Sequence, residues 1–168
     1  SPMSRGLGDV YKRQILSRLD QLNDQQQITI RIASVIGRLF RAAMVWGVYP
    51  ELGKPDVVRA DLELMSNLEL TPLDTPEPEL AYLFKHVMTQ EVAYESLPYA
   101  TRSSLHEQIG FYIEKTYSDH LDQYTSLLAF HFDQSENREK KRQYLAIAAE
   151  SAQANYANAA AIDYYSRL

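Results

Sequence analysis

The chain has 168 residues, is 45% hydrophobic and 23% charged, and carries a net charge of −5, values ordinary for a globular protein of one domain or two small ones. It has no cysteine, which excludes disulfide frameworks and thiolate metal sites. No apolar run approaches the ~20 residues that span a bilayer and no signal-peptide pattern opens the chain, so the expected location is cytoplasmic.

Residues 1–14, SPMSRGLGDVYKRQ, show no periodicity and resemble translated adapter sequence. They are expected to lie outside the fold as a non-native leader. At the other end the helical pattern reaches Leu168 without a cap or breaker. A helix with uncapped carbonyls is expected to continue, and the chain is therefore read as a piece of a longer protein.

Ile15, Leu19 and Leu22 define one face of a short helix, and Asn23 and Asp24 offer a stop and a new N-cap. Ile28, Ile30 and Ile32 alternate like a strand, but Ile28, Ile32, Val35, Ile36 and Leu39 suit a helix over a longer window, and the helix is preferred. Gly37 closes it and Phe40 anchors the turn. A short helix from Arg41 to Val48 runs into the Pro50–Pro55 breaker region. Asp56 is expected to cap the next helix, whose apolar face is Val58, Leu62, Met65 and Leu68. Two strands, Leu70 to Leu73 and Leu80 to Phe84, then flank a turn-rich segment at residues 74–79. Three helices followed by a hairpin is the layout of a winged helix.

Helices resume with Val87, Glu91, Tyr94 and Leu97, and after Pro98 with Leu105, Ile109, Tyr112, Ile113 and Tyr117 on one face. A further helix holds Leu127, Leu128, Phe130 and His131. Asn137 separates it from one starting near Glu139. Residues 144–168 are rich in Ala and Tyr, a composition that lets helices approach closely, as repeat arrays require. Tyr144, Ile147 and Ala148, then Ala160 and Tyr164, loosely match the tetratricopeptide pattern, while Ser151 and Arg167 depart from it.

The six glycines form no phosphate-binding loop, and no nucleophile elbow is present. The histidines at 86, 106, 120 and 131 form no recognised metal pattern, and no paired catalytic groups are evident. Arg138, Lys140, Lys141 and Arg142, interleaved with Glu136 and Glu139, read as a solvated helix face. The helix before the hairpin sets Asp56, Asp61, Glu63 and Glu69 against Lys54 and Arg59. Phosphate contacts need a cationic surface, so the expectation is no DNA binding.

Several segments resemble a known family. ASVIGRLF (Ala33–Phe40), LFKHVMTQEVAYESL (Leu83–Leu97) and the helix beginning RSSLHEQIG (Arg102–Gly110) are similar to the region after the ATPase core in signal-transducing ATPases of the AAA/STAND type. These are notably the ones fused to class III adenylate or guanylate cyclases and followed by tetratricopeptide-like repeats. LLAFHF (Leu127–Phe132) and the Tyr144–Tyr165 stretch look like the start of that family's repeats. The resemblance covers residues 15–168 and is most specific over Phe84–Leu97.

The resemblance implies a mainly α fold: a winged-helix module with a small β-hairpin over 15–97, a helical arm over 98–137, and the start of a tetratricopeptide-like α-solenoid over 138–168. It implies a regulatory, non-catalytic segment whose parent binds ATP or ADP with Mg. It further implies that His86, assisted by Lys85, reaches the phosphates of nucleotide held by the upstream core. A helix N-terminus suits that task. The segment itself would hold no cofactor and no metal. Its partners would be the upstream core, the downstream repeats and proteins bound by those repeats, with no membrane. A plain helical-repeat scaffold and a winged-helix transcriptional regulator are the alternatives.

Overall fold

The computed structural model describes residues 2–155 and 157–168. Ser1 of the expected leader and Tyr156 of the Ala- and Tyr-rich stretch lie outside the described residues. The chain is mainly helical, carries a small three-stranded antiparallel sheet and divides into two compact units at Pro98.

In the first unit, α1 spans Pro2–Asp20, so residues 2–14 are helical although they carry no apolar periodicity. Gly6 and Gly8 cost helix stability without breaking it, and no proline interrupts the run after Pro2. Leu7 and Tyr11 are exposed, and among the residues whose burial is described the first buried side chain is Leu19. Asn23 then caps α2 (Asp24–Ile36) in a reciprocal box. Its side chain accepts from the Gln26 N–H at 2.8 Å, while the Asn23 N–H donates to Gln26 Oε1 at 3.1 Å. The helix expected from Ile28 onward is present but stops at Ile36. Leu39, assigned by periodicity to its apolar face, lies in strand β1 (Leu39–Arg41) and is 55% exposed. Period 2 has replaced period 3.6 here, and Phe40 alone points inward.

Helix α3 (Ala42–Val48) and a 3-10 turn at Pro50–Leu52 lead to α4 (Pro55–Asn67). Asp56 does not cap α4. Pro55 takes the first helical position, where its missing N–H costs nothing, so the cap position falls on Lys54 and Asp56 lies in the first turn. Val58, Leu62 and Met65 are fully buried, whereas Leu68 has left the helix and is half exposed. The expected hairpin forms between β2 (Leu73–Thr75) and β3 (Ala81–Leu83). It starts later than the apolar run suggests, because buried Leu70 belongs to the connecting loop.

Strand β3 is central, in the order β1-β3-β2. Phe40 stands opposite Tyr82 and their rings stack at 6.2 Å, with Phe84 at 5.5 Å from Phe40. Each such buried ring contributes about 1.5–3 kcal/mol, enough to hold three-residue strands that are too short to stand alone. Helix α5 (Val87–Glu95) closes the unit, burying Thr89, Val92 and Ala93. Gln90 donates to the Ser34 carbonyl at 3.1 Å, a helix-packing contact.

The second unit contains α6 (Tyr99–Thr116), 3-10 turns at Ser118–Tyr124, α7 (Thr125–Asp133), α8 (Arg138–Ala154) and α9 (Asn158–Ser166). Asn137 caps α8, accepting from the Lys140 N–H at 3.0 Å. Leu105, Ile109 and Ile113 of the expected α6 face are buried with Leu128, Phe132 and Leu145. In α7 the inward set is Leu128, Ala129, His131 and Phe132, while Leu127 and Phe130 are exposed. Ala148, Ala149 and Ala161 are buried on α8 and α9. The basic run is only partly a solvated face. Lys140 pairs with Glu114 of α6 at 2.7 Å and Lys141 with Asp133 of α7 at 3.3 Å, so two of its four cations tie helices together.

Candidate functional site

The position of His86 and Lys85 is set by the sheet. Phe84, fully buried, donates its N–H to the Arg38 carbonyl at 2.9 Å, and the Lys85 N–H donates to the Leu70 carbonyl at 3.1 Å. The chain therefore leaves β3 along a fixed path, and both following side chains emerge exposed. His86 is the N-cap residue of α5 with extended backbone. Its carbonyl accepts from the Thr89 N–H at 3.0 Å, and its side chain makes no capping bond.

Lys85 is engaged: its ammonium lies 2.8 Å from Glu69 Oε2. Glu69 follows α4 with a left-handed φ of 59°, a conformation uncommon for a side-chain-bearing residue. The bond from Lys85 and its charge hold the Glu69 carboxyl below its ordinary value, with smaller contributions from Arg18 and His86. Both groups are solvated, so water or another anion can compete for the lysine.

Helix α4 carries its own charge neutralisation. Arg59 contacts Asp56 at 3.0 Å and Glu77 in the hairpin connection at 3.0 Å, and its guanidinium lies 4.9 Å from the Trp46 ring centre. Asp61 accepts from Gln25 and Gln26 at 2.9 and 3.3 Å. Glu63 faces solvent.

In the second unit the structure brings together two histidines that sequence spacing left apart. His106 on α6 and His131 on α7 are 1% and 0% exposed, and their Nδ1 atoms are 2.9 Å apart. A bond at this distance needs one proton between the two nitrogens, so one Nδ1 donates and the other accepts. Burial pushes both imidazoles below their ordinary value; Arg102 adds to this for His106, and His106 adds to it for His131. The Nε2 of His131 is buried without a partner. A buried N–H lacking an acceptor is costlier than a bare lone pair. The favoured arrangement therefore has His131 donate from Nδ1 to His106. No local signal marks this pair, because the partners are 25 residues apart on different helices.

Near one end of α6, Tyr99, Ala100, Ser103, Ser104, Glu107 and Glu136 line an open depression of about 410 Å³, and the Tyr99 hydroxyl donates to Glu136 at 2.6 Å. Among the described residues no group of three or more His, Asp or Glu side chains is placed to hold a metal ion, and no helix is long and apolar enough to cross a membrane. Comparison with protein-family models, with curated proteins and with solved structures finds no match, so any functional reading stands on these residues and their geometry.

Proposed function

We propose that this chain is a regulatory, non-catalytic segment of a signalling ATPase of the kind fused to class III cyclases. It would couple the nucleotide state of an upstream core to partner sensing by downstream repeats. One observation carries the reading. The order α2, β1, α3, α4, β2, β3 with strand order β1-β3-β2 suits a winged-helix module, and it is followed directly by an exposed His86 at the start of α5. An imidazole there, with the positive end of the helix behind it, suits a nucleotide phosphate. Lys85 joins it by exchanging Glu69 for the phosphate. ATP or ADP with Mg would be held by the upstream core.

The test uses the gene product with the sequence that precedes this segment. His86→Ala should weaken ADP binding about 10-fold, as loss of a hydrogen bond to a charged group does. Unchanged ADP affinity, or the absence of a phosphate-binding loop upstream, would leave the helical-scaffold reading. That second reading is favoured by the small residues Ala148, Ala149 and Ala161 buried on α8 and α9, a device of helical repeats. The transcriptional-regulator reading predicts salt-sensitive DNA binding in a gel shift, against which the paired Arg59 and the acids of α4 argue.

A further inference from the structure

Glu69 follows α4 as the left-handed residue of a Schellman turn. Its N–H donates to the Ser66 carbonyl at 2.9 Å, the Leu70 N–H donates to the Met65 carbonyl at 3.0 Å, and its φ is 59°. That position favours glycine, so a glutamate there carries a backbone cost and adds a carboxylate in a fixed place. The residues on either side are pinned. The Arg18 guanidinium donates to the Leu68 carbonyl at 2.6 Å, and the Lys85 N–H donates to the Leu70 carbonyl at 3.1 Å. Between them the Glu69 carboxylate meets the Lys85 ammonium at 2.8 Å. We propose that the Glu69 carboxylate is an internal stand-in for a diphosphate group: it locks the site formed by Arg18, Lys85 and His86 and yields it to an anion of higher charge. The inference rests on the reading that His86 and Lys85 meet phosphate; it adds Arg18 as a third contact and Glu69 as the lock.

Charge supports the grouping. Lys85 acts on the Glu69 carboxyl most strongly, through its bond and its charge, and Arg18 and His86 lower it further. One carboxylate therefore senses all three groups, and a single negative charge sits where two cations and an imidazole converge. The Lys85 and Glu69 side chains are 42% and 72% exposed, so their pair is weak and screened by solvent. A diphosphate carries more charge than one carboxylate and accepts several charge-assisted hydrogen bonds at once, which lets it displace Glu69. Arg18 has further donors beside the one on Leu68, so it can meet the anion without releasing the turn.

The test titrates pyrophosphate into the intact chain at low ionic strength, where screening is least, and reads the His86 ring signals by NMR. Glu69→Gln and Glu69→Gly should each tighten binding about 5-fold over the unaltered chain, the change expected when a competing exposed ion pair is removed. Glycine suits the left-handed turn, so that variant keeps the test valid if glutamine disturbs the fold. Glu63→Gln removes the same charge from an exposed position on α4 and should leave binding unchanged. Arg18→Gln in the Glu69→Gln background should weaken it again. Equal gains from Glu63→Gln and Glu69→Gln, or no gain from either Glu69 variant, would overturn the lock. In the longer gene product, weaker ADP binding by His86→Ala without a gain from Glu69→Gln would also overturn it while keeping nucleotide coupling. A Glu69→Gln gain with pyrophosphate, and ADP affinity indifferent to His86, would keep the lock for free phosphate anions and remove nucleotide coupling.

Discussion

Gly110 of α6 lies directly against the ring of Phe132 of α7: a methyl group added to the glycine would stand 2.5 Å from Cζ and 2.7 and 2.9 Å from Cε2 and Cε1. The ring has nowhere to go. It is fully buried, stacks on Tyr144 at 5.5 Å with a 6° interplanar angle, and meets Phe111 edge-on at 5.5 Å.

Gly110→Ala therefore sets two effects against each other. Alanine gains roughly 0.5–1 kcal/mol of helix propensity over glycine, while overpacking a filled core costs about 1–3 kcal/mol. Steric cost wins because the three nearest atoms all belong to a buried ring that is packed against two others. The second unit should lose about 1–2 kcal/mol in urea melts. A stabilised variant would mean that the helices can separate to admit the methyl group.

How much of this was legible beforehand depends on the range of each interaction. The start of α2 at Asn23 and Asp24 could be placed because a cap is local, though its box with Gln26 was not foreseen, and the α6 face of Leu105, Ile109 and Ile113 because helical period is local. The β1 strand was missed because three residues carry too little periodicity. It exists through pairing with β3, whose partner residues lie 40 to 44 positions later. Asp56 was misplaced by weighing its side chain above the backbone preference of Pro55. The His106–His131 bond and the Gly110–Phe132 contact join different helices, so no window along the chain contains them. His86 was marked only by its family-like surroundings, and its exposure became clear once the Phe84 and Lys85 backbone bonds were known.

Arg59 offers a test of how α4 is joined to the hairpin. It reaches Glu77 at 3.0 Å and lies over Trp46 while contacting Asp56. Its side chain is 41% exposed, so solvent screening limits each ion pair to a few tenths of a kcal/mol, and the cation–π contact adds about 0.5–1. Arg59→Ala should cost the first unit about 1 kcal/mol. The local effect should be larger than the global one: amide exchange in β2 and β3 should quicken, and Trp46 emission should change. Unaltered exchange in the hairpin would show that Glu77 is held without the arginine.

The Glu114–Tyr144–Lys140 group makes the last prediction, because one variant separates two causes. Glu114 accepts from Tyr144 and from Lys140, its side chain only 18% exposed. Burial is the first cause that raises the Tyr144 phenol above 10.0, and the bond to Glu114 with its negative charge is the second. A phenol raised in the fold contributes stability that is present below pH 10 and lost as pH rises past it, since the unfolded chain ionises first. The second unit should therefore unfold in alkali, with part of the tyrosine absorbance at 295 nm appearing only on unfolding. Glu114→Gln removes the charge and the ion pair but keeps an acceptor oxygen. It should cost about 1–3 kcal/mol at neutral pH while moving the alkaline transition less than Tyr144→Phe, because burial of the phenol persists. If Glu114→Gln abolished the alkaline sensitivity altogether, the carboxylate and not burial would be its main source.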